Sequence, residues 1–182
     1  MDIVLVHPEI PHNSGCAARL SAALGVPLHL VEPLGFKLED RYLKRAGLDY
    51  WPLVDLTVHR DMAQLRAHFT TGAGASAIDR TLSERVQLFS ARGGRSLFEA
   101  DFHAEDVLMF GAESSGLPPE LLEEFAERRV YLPIRTGIRS LNLANTVAVG
   151  VYTAMNRAGQ ALPDNDGSYV AHAHGCRGDI LL

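Results

Sequence analysis

The sequence predicts an α/β fold in which helices cover both faces of a mainly parallel β-sheet. Short apolar runs of strand length alternate along the chain with stretches in which apolar residues recur at helical spacing. Strands that alternate with helices form parallel sheets, because each helix returns the chain to the edge from which the strand started. The length of 182 residues is close to that of one compact domain, so we expect a single sheet.

The individual strands and helices follow from these patterns in chain order. Buried strands are expected at residues 3–6, 28–31, 53–58, 86–90, 107–110 and 130–132. Helices are expected at residues 15–24, 38–46, 61–69 and 141–158, and a further helix is expected to begin at Pro118 and Pro119. Ser14 and Asp61 are the expected N-terminal caps. Residues 70–83 show no period and are expected to form a loop.

The last predicted helix is apolar on two sides. Leu141, Ala144, Ala148, Val151 and Met155 form one stripe, and a second stripe consists of Leu143, Val147, Gly150 and Ala154. Such a helix either crosses the core of its own chain or packs against a second subunit, because monomers rarely expose large apolar patches. Both alternatives remain open from the sequence. We expect one domain over residues 1–158 and a polar, glycine-rich tail over residues 159–182.

Composition and charge exclude several classes of protein. Hydrophobic residues make up 47% and charged residues 21% of the chain, which is ordinary globular usage and not that of a disordered polyelectrolyte. No apolar stretch approaches the ~20 residues of a membrane span, and the N-terminus lacks the pattern of a signal peptide, so we expect a cytoplasmic protein without membrane association. The net charge of −5 means that any nucleic-acid site must be a local patch.

Cysteine and histidine usage gives little indication of a metal site. Cys16 and Cys176 form no CxxC pair, which excludes a disulfide framework and favours free thiols. His172, His174 and Cys176 alternate near the C-terminus, but a structural metal site normally needs four ligands, and a solvated tail is the simpler interpretation. The other histidines show no metal-ligand spacing and are expected at the surface or in the core: His7, His12, His29, His59, His68 and His103.

Two glycine-rich segments resemble nucleotide-binding motifs only in part. Residues 72–77 match the dinucleotide pattern GxGxxG/A, but they follow a helical segment, whereas the motif requires a preceding strand. Residues 111–116 have the glycine spacing of a P-loop, yet Leu117 and Pro118 replace the lysine and the hydroxyl residue that hold phosphate and magnesium. The second comparison excludes a nucleoside triphosphatase of the P-loop type.

A serine hydrolase is the main enzymatic alternative from the residues themselves. Ser114 follows a predicted strand within a segment like a nucleophile elbow, and Asp164 or Asp166 with His172 or His174 would complete the order Ser, Asp, His. The elbow requires a helix immediately after the serine, and the prolines delay that helix. This feature counts against the hydrolase.

Three polar segments are not easily explained by packing. They span residues 8–19, 110–117 and 138–146, and the first two directly follow predicted strands. Sites in parallel sheets form where the carboxyl ends of strands meet, so the three segments are predicted to build one pocket. The simpler alternative is that Ser140 and Asn142 cap the last helix and that Glu113 is a solvated turn residue.

The same segments resemble a known family. The patterns NxGxxxR at residues 13–19, FGxExxGL at 110–117 and RSLNLxN at 139–145 are similar to the three motifs of the SPOUT superfamily of knotted RNA methyltransferases. The longer pattern VxPEIPxNSGCAAR, the segment EPLGF at 32–36 and the segment LKRAGLDYW at 43–51 resemble the small wobble-nucleotide tRNA 2′-O-methyltransferases. The resemblance covers residues 1–158 and does not extend to the tail.

The resemblance implies a fold, a cofactor and partners. Members of the family bind S-adenosylmethionine at a deep C-terminal trefoil knot, methylate the wobble cytidine or 5-carboxymethylaminomethyluridine in the tRNA anticodon loop, act as homodimers and use no metal. Five positions are implied to lie along the cofactor, chiefly through backbone groups: Phe89, Gly111, Leu132, Ser140 and Leu141. Gly111 suits this role because a missing Cβ lets the backbone approach a ligand.

The resemblance also implies the residues that act on the RNA. Roles in catalysis fall to Arg19, Asn13, Glu113, Ser140 and Asn142. A guanidinium with a pKa above ~12 is not an ordinary base, so we expect Arg19 to polarise the 2′-oxygen or to bind a phosphate while the other four residues position the nucleotide and Arg19. A noncatalytic RNA-binding dimer of the same fold is the alternative.

The predicted RNA contacts are cationic and aromatic. Arg41, Lys44 and Arg45 share one face of the predicted second helix, although a solvated face is an equal alternative for the lysine, and Tyr50 and Trp51 follow as candidates for stacking on bases. Further phosphate-binding candidates near the motif segments are Arg92, Arg135 and Arg139.

Overall fold

The sheet contains seven strands in the order β3-β2-β1-β6-β4-β7-β5, and every pairing is parallel. The computed structural model describes residues 1–38, 50–71, 81–91 and 93–164. The strands are β1 (Asp2–Val6), β2 (Leu28–Val31), β3 (Leu56–His59), β4 (Val86–Phe89), β5 (Arg95–Ser96), β6 (Val107–Phe110) and β7 (Arg129–Tyr131). The predicted α/β class with a parallel sheet is confirmed.

Helices cover both faces of this sheet. They are α1 (Pro11–Leu24), α2 (Met62–Thr71), α3 (Leu82–Arg85), α4 (Pro119–Glu124) and α5 (Leu143–Arg157), together with short 3₁₀ turns at Trp51–Leu53 and Ala126–Arg128. Side chains alternate along β1, so Ile3 and Leu5 pack with α1 and α5, whereas Val4 and Val6 pack with α2 and α4. The result is two apolar layers, one on each side of β1, whose residues 3–6 are fully buried.

Helix α1 begins earlier than the sequence pattern indicates. Its first residue is Pro11 and its N-cap is Ile10, which has no capping side chain. The prediction that Ser14 caps a helix over residues 15–24 is therefore wrong: Ser14 is buried within the helix, and its Oγ has no hydrogen-bond partner among the described residues. Proline at the first helical position needs no N–H partner, which permits the earlier start.

Other boundaries also differ from the predictions. The predicted strand 53–58 is a 3₁₀ turn followed by β3, and part of the predicted loop 70–83 is helical, in α2 and α3. Asp61 does cap α2, since its Oδ1 accepts the N–H of Gln64 at 2.8 Å. The predicted helix 38–46, apart from its first residue, and the dinucleotide-like segment 72–77 lie outside the described residues.

Helix α5 is buried on one side and exposed on another. Val147, Val151 and Ala154 are fully buried in the core of their own chain. Val149 and Tyr152 lie on the opposite side and are 42% and 45% exposed. All residues of the second predicted stripe are buried in the core of the same chain, and so are Val151 and Met155 of the first stripe, whereas Val149 and Tyr152 belong to neither stripe. Within the described segments, no helix has the length and apolarity needed to cross a bilayer.

Candidate functional site

The carboxyl ends of the central strands bring the motif segments to one edge of the sheet. Phe110 at the end of β6 is in register with Leu5 of β1 and with Phe89 of β4, and Phe89 is in register with Val130 of β7. The segments that follow these strands therefore leave the sheet side by side. This is the edge at which parallel sheets place their sites.

The three motif segments are joined by direct hydrogen bonds. Oε1 of Glu113 accepts the Nδ2 amide of Asn13 at 2.8 Å, and Oδ1 of Asn13 accepts the Nδ2 amide of Asn142 at 3.0 Å. We call Asn13, Glu113 and Asn142 the motif network. Asn142 also caps α5, because its Oδ1 accepts the N–H of Asn145 at 3.3 Å, so capping and a place in the network are not alternatives. The structure thus brings three of the predicted site residues together.

Glu113 is saturated with donors. Its carboxylate also accepts the backbone N–H groups of Glu9 at 2.8 Å and Ile10 at 3.2 Å, in addition to the Asn13 amide. A carboxylate whose oxygens face three N–H donors holds its neighbours in place. The alternative of a solvated turn residue does not hold for this half-buried side chain.

A reciprocal contact fixes the same two segments from the other side. The carboxylate of Glu9 accepts the Oγ hydroxyl of Ser114 at 2.6 Å and the Ser114 N–H at 2.9 Å. These two hydrogen bonds hold the pKa of Glu9 below its ordinary value. Sequence reasoning missed Glu9, although an acidic residue between two prolines at the end of a strand was an available signal.

The turn after β6 is a tight loop and not a nucleophile elbow. Ala112 and Gly116 pair across it through two backbone hydrogen bonds, of 3.1 and 2.8 Å, and α4 begins only at Pro119. The hydroxyl of Ser114 donates to Glu9, and His172 and His174 lie outside the described residues. The geometry therefore counts against the serine hydrolase.

Gly111 is required by this turn itself. A Cβ at this position would lie 2.1 Å from both the carbonyl carbon of Gly116 and the amide nitrogen of Leu117. The sequence predicts that Gly111 allows a ligand to approach the backbone, but in the structure the groups that approach it are the backbone atoms of Gly116 and Leu117 in the same turn. Gly116 has a φ of 76°, in the left-handed region that favours glycine.

The predicted cofactor-contact residues lie around the ends of β4 and β7. The ring of Phe89 stacks on that of Phe110 with centroids 4.4 Å apart, and the close approach of Gly150 in α5 leaves no room there for a Cβ. Leu132 directly follows β7, and Ser140 and Leu141 are exposed on the segment that leads to α5. Among the described residues, residues 132–141 form one internal backbone hydrogen bond, from the N–H of Ile138 to the carbonyl of Arg135.

The predicted catalytic Arg19 lies on α1, two turns after Asn13, and is exposed. Its guanidinium carbon is 4.6 Å from the ring centroid of Tyr50. Tyr50 is only 9% exposed, so the prediction that it stacks on RNA bases is wrong, whereas Trp51 is partly exposed.

The predicted cationic RNA contacts are only partly visible. Arg135 and Arg139 are exposed on the segment between β7 and α5. The remaining members of the set, Arg41, Lys44, Arg45 and Arg92, lie outside the described residues.

A buried histidine cluster lies away from this edge, between β2, β3 and α2. His29 Nδ1 is 3.0 Å from His59 Nε2, and the rings of both lie within 5.3 Å of the His68 ring, centroid to centroid. Burial, together with the smaller effects of the neighbouring His29 and His68, lowers the pKa of His59 from 6.5 to about 4. Sequence reasoning missed the cluster because its members are separated by 30 and 9 positions on three elements. No group of three or more His, Cys, Asp or Glu side chains in the described part of the chain could hold a metal ion.

Comparison with known proteins places the chain among RNA methyltransferases. The model of the SpoU rRNA Methylase family matches residues 1–152. A tRNA (cytidine(34)-2'-O)-methyltransferase of Burkholderia pseudomallei (strain 1106a) is 46% identical over 159 residues, which cover 87% of this chain and 96% of that protein.

Solved structures give the same result. One, described as giving structural insights into the 2-OH methylation of C/U34 on tRNA, superposes with a TM-score of 0.76 at 47% identity and covers 87% of this chain and 95% of its own. The SpoU methyltransferase AviRb of Streptomyces viridochromogenes, solved with AdoMet, has a TM-score of 0.73 at 19% identity, over 86% of this chain and 57% of its own, and shares the fold.

Proposed function

The chain belongs to the SpoU rRNA Methylase family, and we propose that it is an S-adenosylmethionine-dependent methyltransferase for the ribose 2′-hydroxyl of the wobble nucleotide of tRNA. Relatives that carry this activity in their names support the choice of nucleotide 34. The substrate base is cytidine or 5-carboxymethylaminomethyluridine. The catalytic domain spans residues 1–158 and acts in the cytoplasm.

The observation that carries the proposal is the motif network. Asn13 is hydrogen-bonded to Glu113, which lies 100 residues later in the chain, and to Asn142, which lies 129 residues later. The three motif segments therefore meet through two side-chain amides and one carboxylate. Asn13 is only 2% exposed, and its side chain forms hydrogen bonds with both Glu113 and Asn142. Its position relative to the edge of the sheet is therefore fixed. A fixed polar platform on the same helix as the exposed Arg19 suits a reaction governed by alignment.

The residues at this edge fit an adenosine-containing cofactor. Residues 133–141 are exposed, and most of their peptide groups are not taken up by backbone hydrogen bonds within the described segments. Such groups can bind the polar edges of adenine and ribose, and the Phe89–Phe110 pair supplies an apolar wall nearby. We assign Phe89, Gly111, Leu132, Ser140 and Leu141 to this site. When bound, S-adenosylmethionine supplies an electrophilic methyl group on a sulfonium sulfur.

The chain's own residues orient the ribose and stabilise charge on its oxygen. The 2′-oxygen gains negative character as its proton leaves, and the Arg19 guanidinium stabilises that charge or binds the adjacent phosphate. Arg19 does not take the proton, because it remains protonated at neutral pH. Ser140 and Asn142 position the nucleotide, while Glu113 acts through Asn13 and is a positioning residue. The proton leaves to phosphate or water.

We propose that the chain forms a homodimer through the uncovered side of α5. Leu141, Val149 and Tyr152 are each more than 40% exposed, and Ile138 is 59% exposed. Val149 and Tyr152 lie three positions apart on one helical face. A second copy of the chain would cover this apolar surface, which monomers rarely leave open. The proposed trefoil knot lies in the C-terminal part of the domain, and we assign no role to residues 159–182.

The proposal is tested by methyl transfer to bulk tRNA. Purified protein and S-adenosylmethionine labelled at the methyl group should label the ribose of nucleotide 34, and Arg19→Gln should lower the rate at least ~10²-fold. The matched control is Arg60→Gln, since Arg60 is an exposed arginine paired with Asp61 at 3.2 Å and follows β3, which lies two places from β1 in the sheet order. Label at another nucleotide would refute the wobble assignment.

Two competing functions give different results in the same preparation. A serine hydrolase would react with a fluorophosphonate probe and show no heat of binding with S-adenosylmethionine. A noncatalytic RNA-binding dimer would retain tRNA without transferring methyl groups. Either result would overturn the proposal.

The RNA-binding residues are tested through salt dependence. We assign phosphate contacts to Arg41, Lys44, Arg45 and Arg139. Each phosphate contact contributes about one to the slope of log K against log salt, so the double variant Arg41→Glu and Arg45→Glu should weaken tRNA binding and reduce that slope. Unchanged binding by the double variant would refute this assignment.

A further inference from the structure

Tyr50 lies beneath the arginine that the proposed reaction depends on. Its ring is buried except for 9% of its surface, and the Arg19 guanidinium carbon is 4.6 Å from the ring centroid. Its hydroxyl donates to the carbonyl of Gly15 at 3.0 Å. Tyr50 therefore contacts α1 twice, at the backbone of Gly15 and at the side chain of Arg19.

The hydroxyl contact fixes the turn of α1 that carries Arg19. In an α-helix the carbonyl of residue 15 accepts the N–H of residue 19, so Gly15 receives hydrogen bonds from Arg19 and from Tyr50. Tyr50 is the N-cap of the 3₁₀ turn Trp51–Leu53, which packs on α1. The ring is therefore held by its own segment as well as by the helix.

The ring contact restricts the guanidinium. A guanidinium over the face of a tyrosine is attracted by the negative potential of the ring. An exposed arginine samples many rotamers, and each must be given up when it binds an oxygen in one orientation. A rigid aromatic ring restricts the arginine before the substrate binds, so less side-chain entropy is lost on binding. This is the advantage of a pre-organised group.

We propose that Tyr50 is a positioning residue that holds the Arg19 guanidinium in the orientation used on the ribose 2′-oxygen. The inference rests on the proposed function, since it concerns the same arginine. It also assigns a different role to the residue that the sequence indicated for base stacking.

The kinetic test is a double-mutant cycle. Tyr50→Leu removes the ring and should lower kcat roughly 10- to 100-fold, as misplacement of a reacting group by about 1 Å does, while KM for S-adenosylmethionine stays within about twofold. Tyr50→Phe keeps the ring and should retain at least about one third of kcat. In an Arg19→Gln background, Tyr50→Leu should have less than about a twofold further effect, because coupled residues are not additive. Equal losses in both backgrounds would overturn the inference.

A readout independent of activity separates this inference from the proposed function. The ring current of Tyr50 should shift the side-chain NMR resonances of Arg19 upfield in the wild type and in Tyr50→Phe, and Tyr50→Leu should abolish the shift. The matched control is Phe125→Leu, which removes a buried ring 5.6 Å from the Arg66 guanidinium carbon and should change the Arg66 resonances without lowering kcat. An unshifted Arg19 would overturn the inference even in an active enzyme. An inactive wild type with a shifted Arg19 would overturn the proposed function instead.

Discussion

The motif network and the histidine cluster are both polar groups joined across distant parts of the chain, but their hydrogen bonds are satisfied differently. In the motif network a carboxylate faces three N–H donors, and each amide of Asn13 and Asn142 has an assigned partner. In the histidine cluster, Nδ1 of His59 is buried without a hydrogen-bond partner among the described residues. Burial lowers the pKa of His59 in the folded protein, so that imidazole is neutral at neutral pH, whereas the motif network is held together by N–H donors to a carboxylate.

The two regions are therefore expected to be sensitive to different changes. The motif network depends on position, because its groups must meet at one edge of the sheet for the proposed alignment of substrate. The histidine cluster depends on protonation, because burial disfavours a charge on His59, although the carboxylate of Asp2 lies 3.5 Å from Nε2 of His29. Substitutions should therefore affect activity at the first region and acid stability at the second.

The largest effect is expected from Gly111→Ala, which displaces the turn that carries Glu113. The new Cβ would lie 2.1 Å from backbone atoms of Gly116 and Leu117, so the turn must move. We expect methyl transfer to fall by at least ~10²-fold and the free energy of unfolding to fall by ~1–3 kcal/mol. Gly25→Ala is the control: Gly25 has open space for a Cβ at the other end of α1, and its positive φ of 65° strains an alanine there without moving the turn that carries Glu113. A comparable loss of activity in this variant would contradict the argument.

Glu113→Gln is expected to have the next largest effect. The amide retains one acceptor oxygen and turns an NH₂ group toward N–H donors, so at least one contact of the motif network is lost. Methyl transfer should fall roughly 10- to 100-fold, with a loss of about 1–3 kcal/mol in stability. Glu124→Gln removes a carboxylate from the exposed pair with Arg66 and should leave the rate unchanged. If both variants lose the same activity, the network is not what positions the site.

Acid should weaken the fold through His59. The pKa of His59 is lowered from 6.5 to about 4 in the folded protein, so the unfolded chain takes up a proton between these pH values and the folded chain does not. The free energy of unfolding is therefore highest above pH 6.5 and falls by up to ~3 kcal/mol as the pH drops to about 4. Denaturant unfolding at several pH values measures this slope.

A variant isolates the contribution of His59 from general acid effects. His59→Gln keeps an amide that can donate to or accept from His29 Nδ1 but cannot titrate, so its stability should depend less on pH between 6.5 and 4. His103, an exposed histidine near Asp106, provides the control: His103→Gln should retain the full acid slope. An unchanged dependence of stability on pH in His59→Gln would show that His59 does not cause the loss of stability in acid.

The smallest effect is expected from Ser114→Ala. This change removes the 2.6 Å hydroxyl contact to Glu9 but leaves the Ser114 N–H and all contacts of Glu113 in place. The pKa of Glu9 should rise toward its ordinary value, which an NMR titration of the carboxyl carbon detects. Methyl transfer should fall by no more than about fivefold. A complete loss of activity would revive a direct chemical role for the Ser114 hydroxyl.

The strands were predictable because their patterns are local. Residues 107–110 are a continuous apolar run, residues 28–31 are apolar apart from His29, and both strands have the predicted limits. Strand β5 consists of Arg95 and Ser96 only, and a two-residue polar strand has no periodicity to detect. The start of α1 was missed because Ile10 does not have the side chain of an N-cap.

Site residues could be predicted from the sequence where they lie directly beside a strand or helix that is itself predictable. Asn13, Glu113 and Asn142 follow or precede regular elements at the same sheet edge, so topology alone brings them together. Tyr50 was misjudged because its partners, Gly15 and Arg19, lie more than 30 positions away. Glu9 was missed for a similar reason, since its role is defined by Ser114 at a separation of 105 residues. Pairings of this kind depend on tertiary structure and leave no local pattern.

The strand order also affects how the protein is made. The central strand β1 is synthesised first, and it pairs on one side with β2, which follows soon, but on the other side with β6, which begins at Val107. At ribosomal rates the chain between β2 and β6 takes roughly 4–16 s to emerge. During that time one edge of a strand with four fully buried residues has no native neighbour, and open apolar edges are where nascent chains aggregate. Slower elongation before residue 107 would lengthen this exposure, and chaperone binding to the nascent sheet should be strongest in the same interval.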